Sequence, residues 1–130
     1  MMAALPRLLW LALGIAQAHA DMPMFQSESG NHRLGYESRL EPIVINRIHA
    51  WELHLETADG EPVTGAAISV QGGMPAHDHG LPTEPRVTRE LGGGRYLLEG
   101  MRFHMNGFWE ITIRLEAAGE RDVVIVPLRL

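Results

Sequence analysis

The chain has 130 residues, with eleven arginines and no lysine against sixteen acidic side chains, and no cysteine. A formal charge of −5 argues against nucleic acid as a partner. The absence of cysteine excludes disulfides and thiolate chemistry, so any stability has to come from packing and backbone hydrogen bonds.

Residues 1–20 read as a signal peptide. Arg7 is the only charge ahead of an apolar run from Leu8 to Ala16, and the segment closes on Ala18-His19-Ala20. That run is about ten residues long, short of the roughly 20 that a helix needs to cross a bilayer, so cleavage after Ala20 is expected and no stable membrane span. The destination implied is the periplasm or the cell exterior. What remains is of single-domain length and carries ten arginines against sixteen acids.

Residues 21–33 are polar and small, with Gln26-Ser27-Glu28-Ser29-Gly30-Asn31 in succession, and are expected to be a loose, flexible leader. The domain is then expected over 34–130. Arg39 to Ile45 is predicted as a first strand. In Ile48 to Glu56 the apolar Trp51, Leu53 and Leu55 alternate with Glu52, His54 and Glu56, the period of a half-buried strand. Asp59-Gly60 marks a turn. Ala67–Val70, Arg86–Leu91 and Tyr96–Glu99 supply further strands. The clearest alternation sets Trp109, Ile111, Ile113 and Leu115 against Glu110, Thr112, Arg114 and Glu116, and Val123 to Leu130 gives a last strand after Gly119. About seven short strands with turn signals between them, and no sustained helical period, predict an all-β fold: an antiparallel β-sandwich of immunoglobulin-like type. Trp51 and Trp109 are its expected core anchors.

Two clusters could carry chemistry. Met74, His77 and His79 stand in Gly72-Gly73-Met74-Pro75-Ala76-His77-Asp78-His79-Gly80, which is too rich in glycine and proline for a strand and is predicted as a loop. Met101, His104 and Met105 form the second. Thioether sulfur is a soft donor that suits Cu(I), and imidazole serves copper in both oxidation states, so a mixed set points to copper, Cu(I) ahead of Cu(II). The expected ligands are Met74, His77, His79, His104 and Met105. His77 and His79 would point to opposite sides of an extended segment, so the loop has to turn, which glycines at 72, 73 and 80 make easy. Methionine also fills gaps in cores, which is the competing role for Met101 and Met105 beside Phe103. His49 is a further ligand only if it opens onto the same end. His32 and His54 have no soft donor near them in sequence and are set aside.

Catalysis finds little support. No Ser, His and Asp set sits in a recognisable elbow, Gly92-Gly93-Gly94 precedes a strand and not a helix, and the histidines lack a helical H-E-x-x-H spacing. Asp78 is the only acid within 72–80, where a hydrolytic metal site would want a positioned carboxylate. An enzyme is not expected.

The stretch Gly73-Met74-Pro75-Ala76-His77-Asp78-His79-Gly80, followed by Phe103-His104-Met105-Asn106-Gly107-Phe108-Trp109-Glu110-Ile111, resembles the YtkA-like and FixH-like domains of exported or membrane-tethered bacterial proteins. The likeness runs from Ile48 to Leu115. Met74, His77 and His79 match an M-P-x-H-x-H loop, and Met105, Gly107 and Trp109 match an M-x-G-x-W strand start, to which His104 is an addition. The resemblance implies an immunoglobulin-like sandwich and a role in copper handling, with an envelope copper protein or an oxidase as partner. FixH-like proteins keep an N-terminal membrane helix, and the short apolar run here departs from that. The expected function is therefore a periplasmic copper-binding protein or copper chaperone. The alternative is a metal-free β-sandwich interaction module in a cell-envelope complex.

Overall fold

The computed structural model describes residues 22–130, so the expected signal peptide lies outside the described residues. The strands are β1 (Met24–Gln26), β2 (His32–Ser38), β3 (His49–Thr57), β4 (Ala67–Met74), β5 (His79–Gly80), β6 (Arg86–Gly92), β7 (Arg95–Met101), β8 (Phe108–Ala117) and β9 (Glu120–Arg129). The described residues contain no helix, and so none long and apolar enough to cross a membrane. All pairings are antiparallel, in the order β1-β2-β3-β7-β6-β4-β8-β9, with the short β5 on β4. Only one residue pair, Ser69 with Arg86, joins β6 to β4. The strands thus fall into two layers, β1-β2-β3-β7-β6 and β4-β8-β9. Without β1, that is the strand order of a seven-stranded, constant-type immunoglobulin sandwich, in agreement with the sequence.

Three expectations are corrected. Residues 21–33 are not a loose leader throughout: Met24–Gln26 pair with Arg33–Gly35, and β2 begins at His32, ahead of Leu34. Arg39 to Ile45 is not a strand. Its Ile43-Val44-Ile45 run has β-forming residues, but Pro42 has no N–H to give a ladder and Asn46 turns the chain with φ 63°. Residues 72–80 are not a loop throughout, because Gly72–Met74 extend β4 and His79–Gly80 return along it.

The core lies between the layers. Trp51, Leu53 and Leu55 of β3 and Trp109, Ile111, Ile113 and Leu115 of β8 are buried, as their alternation predicts. At one end the aromatic rings form a chain across both layers. Tyr36 stacks on Trp51 with centroids 4.0 Å apart, Phe103 lies 6.1 Å from Trp51, and Phe103 meets Trp109 at 5.2 Å in a T-shaped contact. Such pairs add stabilisation of about 0.5–1.5 kcal/mol each beyond area burial.

At the other end the layers are tied by a buried polar clasp. The Glu28 N–H donates to the Val123 carbonyl at 2.8 Å, linking the β1–β2 turn to β9. Beside it the His32 ring, through Nδ1, contacts Asp122 Oδ2 at 2.7 Å, and the Ser29 hydroxyl donates to the same oxygen at 2.5 Å. Asp122 Oδ1 accepts from the backbone N–H groups of Ser29 and Val123. Burial alone would push the Asp122 carboxyl up. The hydrogen bonds from Ser27, Ser29 and His32 and from the Val123 amide outweigh it and hold the carboxyl well below the usual range.

Two measurements check this description. Ile113 is fully buried, so Ile113→Ala should cost about 2–5 kcal/mol in urea unfolding. Asp122 has a folded pKa below its unfolded one, so its contribution is present above the unfolded value of about 4 and is lost as pH falls below it. Stability should therefore decline with acid through that window, and Asp122→Asn should lower stability at pH 7 while flattening the decline.

Candidate functional site

The β4–β5 hairpin and the β7–β8 connection lie side by side at the aromatic end of the sandwich. Pro75–Asp78 form the hairpin turn, closed by the His77 N–H donating to the Met74 carbonyl at 3.1 Å. The reversal is made at Asp78, whose φ is 50°, and not at the glycines, which sit within the paired strands. Aspartate tolerates this left-handed conformation better than most residues. The turn brings the two ring centroids of His77 and His79 to 6.3 Å, where an extended segment would send them apart.

The second cluster arrives by a different route. Phe103 is buried between the tryptophans, and the next residue, His104, packs T-shaped on Trp109 with centroids 5.6 Å apart. The Trp109 indole N–H donates to the Met105 carbonyl at 3.0 Å, which fixes the turn into β8. The result is that His79 and His104 stand 5.9 Å apart between centroids, near perpendicular. A metal–nitrogen bond of about 2.0–2.1 Å puts a ring centre about 3.2 Å from the ion, so two rings on one ion are at most about 6.4 Å apart. That limit is reached only with the two nitrogens in line; at a tetrahedral angle the ring centres would stand about 5.2 Å apart, so His77–His79 and His79–His104 both have to close by about 1 Å to share one ion.

His77 and His79 are exposed, while His104 is half-buried. His104 Nδ1 is buried and has no hydrogen-bond partner. An unsatisfied buried nitrogen of this kind costs about 1–3 kcal/mol, and a bound cation would satisfy it. The residues thus fit a soft metal ion in donor type, and their side chains would have to turn inward for the three rings to meet on it.

Methionine enters from below. Met74 is directly opposed to His79 in the hairpin, so both side chains lie on one face, yet it is almost fully buried. Its methyl group reaches Gly107, where a Cβ would come within 2.8 Å of it. Gly107 also has φ 133°, which L side chains rarely adopt. Met105 is half-buried against the core, and Met101 is fully buried in it. Met101 therefore serves packing, as its alternative role has it.

His49 opens onto the same end, 6.0 Å from Phe103 between centroids, but both its nitrogens are used. Nε2 accepts from the Trp51 indole at 3.2 Å, so the ring proton is on Nδ1, which donates to the Arg47 carbonyl at 2.9 Å. It orients Trp51 and offers no free ligand atom.

Among the described residues, one group of three histidine or acidic side chains has its ligand atoms close enough to share a cation as they stand: His32, Glu120 and Asp122, within 4.8 Å of one another, whereas His77, His79 and His104 do not form such a group. It was not legible locally, because His32 is some 90 residues from Glu120 and Asp122. Its lone pairs are already engaged by Ser29, Asn31, His32 and Val123, and it reads as the clasp described above. A groove of about 780 Å³ beside that clasp, lined by Ile68, Leu115 and Val123 among others, carries no imidazole or thioether.

Fold and site together define a small immunoglobulin-like sandwich with imidazoles and thioethers gathered at one end. The chain belongs to the YtkA-like family, whose model matches residues 35–114, well over half of its length. The match takes in nearly all of the span expected from Ile48 to Leu115 and extends it upstream into β2. Among solved structures the chain is similar to a DUF4426 family protein from Pseudomonas aeruginosa PAO1, with 19% identity and a TM-score of 0.55, over 82% of this chain and 94% of that one. This likeness speaks to the fold alone. No curated protein matches the chain.

The tie between the two clusters can be tested at Gly107. Gly107→Ala should cost about 1–3 kcal/mol through its backbone conformation and push the Met74 methyl aside. Denaturant unfolding and the methyl NMR signal of Met74 report the two effects separately.

Proposed function

We propose that the protein is an exported copper-binding protein that holds Cu(I) between the β4–β5 hairpin and the β7–β8 connection. His77, His79 and His104 are the imidazole ligands, and Met74 and Met105 supply thioethers. The observation that carries this reading is the approach of His104 to His79, with the buried Nδ1 of His104 left unpartnered. Three neutral imidazoles and two thioethers favour Cu(I) over harder divalent ions, and none of them has to be deprotonated from a thiol.

The exposed position of His77 and His79 supports a carrier role in place of a permanent store, because a partner copper protein can reach these ligands first. The membership in the YtkA-like family and the leader-like residues 1–20 support action in the periplasm or outside the cell.

The test is anaerobic addition of one equivalent of Cu(I) to the purified chain. The melting temperature should rise, since a ligand that binds only the folded state stabilises it. Copper should stay bound through desalting, and His104→Ala should lose both effects while folding normally. No shift and no retained copper would refute this reading and favour a metal-free interaction module.

A further inference from the structure

Among the described residues four large apolar side chains are exposed, and three of them, Val44, Ile48 and Phe108, stand at the end of the sandwich that carries the hairpin. Exposed apolar residues scattered singly over a surface need no explanation, but their gathering at one end does. The Asn46 N–H donates to the Phe103 carbonyl at 2.6 Å, which fastens the segment 39–48 to the β7–β8 connection. Phe108 closes that connection as the first residue of β8. Ile48 is 67% exposed, so it contributes little to the core.

Each of these side chains has an arginine near it. Arg47 precedes Ile48 in the chain and is itself exposed. The Arg129 guanidinium lies over the Phe108 ring, 5.6 Å from its centroid. Arg102 reaches Asn46 Oδ1 at 3.4 Å, midway in sequence between Val44 and Ile48, and its Nε is buried without a partner. None of these three arginines has an acidic partner among the described residues. On segments 39–48, 75–78 and 102–107 the acids are Glu41 and Asp78. The far end is opposite in sign: its connections at 27–31, 58–66, 93–94 and 118–119 carry Glu28, Asp59 and Glu61 and no arginine. A chain that is acidic as a whole is thus polarised from end to end.

We propose that this end docks on an anionic phospholipid surface, with Val44, Ile48 and Phe108 entering the boundary between headgroups and acyl chains and Arg47, Arg102 and Arg129 on lipid phosphates. Arginine suits that place, because its planar fork engages phosphate oxygens in pairs while its stem packs along apolar surface. An apolar tip with a guanidinium next to it matches a boundary that is apolar on one side and anionic on the other. A protein partner would favour one packed apolar patch with an aromatic centre, whereas the apolar groups here sit on separate stretches of chain. The acidic far end is repelled by the same surface, so contact is made end-on. The docking needs no metal and stands without the copper reading.

The experiment is co-sedimentation of the metal-free chain with lipid vesicles. The chain is taken from Asp21 onward, which holds every described strand and leaves out the apolar run of Leu8 to Ala16. It should sediment with vesicles of phosphatidylglycerol and phosphatidylcholine in equal parts, stay in solution with phosphatidylcholine alone, and be released by high salt. Arg47→Gln/Arg129→Gln should weaken binding about 25-fold, at about fivefold for each guanidinium near an anionic surface. Val44→Ser/Ile48→Ser should weaken it roughly tenfold, through loss of the inserted apolar tips. Arg121→Gln, at the far end, should change nothing. All these side chains are exposed, so the variants should melt as the unaltered chain does. Absence of binding to the anionic vesicles, or an equal loss with Arg121→Gln, overturns the proposal. Binding that Val44→Ser/Ile48→Ser leaves intact, matched by binding to soluble polyglutamate, also overturns it and assigns this end to an acidic protein.

Discussion

Phe103, packed between Trp51 of one layer and Trp109 of the other, is the contact on which the geometry of this molecule turns. The connection from β7 to β8 has to cross from the five-stranded layer to the three-stranded one, and a buried ring in its middle fixes where it crosses. Everything downstream in that connection follows from this anchor. His104 is left at the rim on the Trp109 ring, Met105 is held through its carbonyl by the Trp109 indole, and Gly107 leaves room for the Met74 methyl. The hairpin that carries His77 and His79 is thereby fitted to a prepared surface. Large-to-small changes of a buried aromatic typically cost about 3–5 kcal/mol, so the wedge couples stability of the fold to the shape of the site.

The strands that could be read from the sequence are those with one buried face and no competing local signal. Trp109, Ile111, Ile113 and Leu115 share a face because the pleat has period two, and their partners on the other face are polar. Where local composition and tertiary pairing disagree, pairing decides. Ile43-Val44-Ile45 has the residues of a strand but finds no partner ladder, and Val44 is left exposed. Conversely, Met24–Gln26 looks like part of a polar leader, yet the side chain of Phe25 packs on the core and the strand forms.

The hairpin donors were legible because they cluster in sequence, and soft ligand types make such clusters conspicuous. The turn that aims them was not, since the glycines that suggest it lie in the strands and Asp78 makes the reversal. His32 was set aside for want of neighbours, and its neighbour, Asp122, comes from a distant strand. A constellation assembled by sheet register leaves no local trace, because register depends on which strands pair and not on spacing along the chain. The charged groups are distributed to match. Ion pairs of Arg33, Arg39 and Arg95 with Glu56 and Glu52 cover the outer face of the large layer, and the imidazole-rich end has none among the described residues.

The central claim is that hairpin and connection meet in one site, and a double-mutant cycle on Cu(I) affinity tests it most directly. His79→Ala and His104→Ala, singly and together, are titrated under one set of anaerobic conditions. If both rings bind the same ion, the loss in the double variant is much smaller than the sum of the single losses. Additive losses, or a single loss confined to His79, would contradict the shared site.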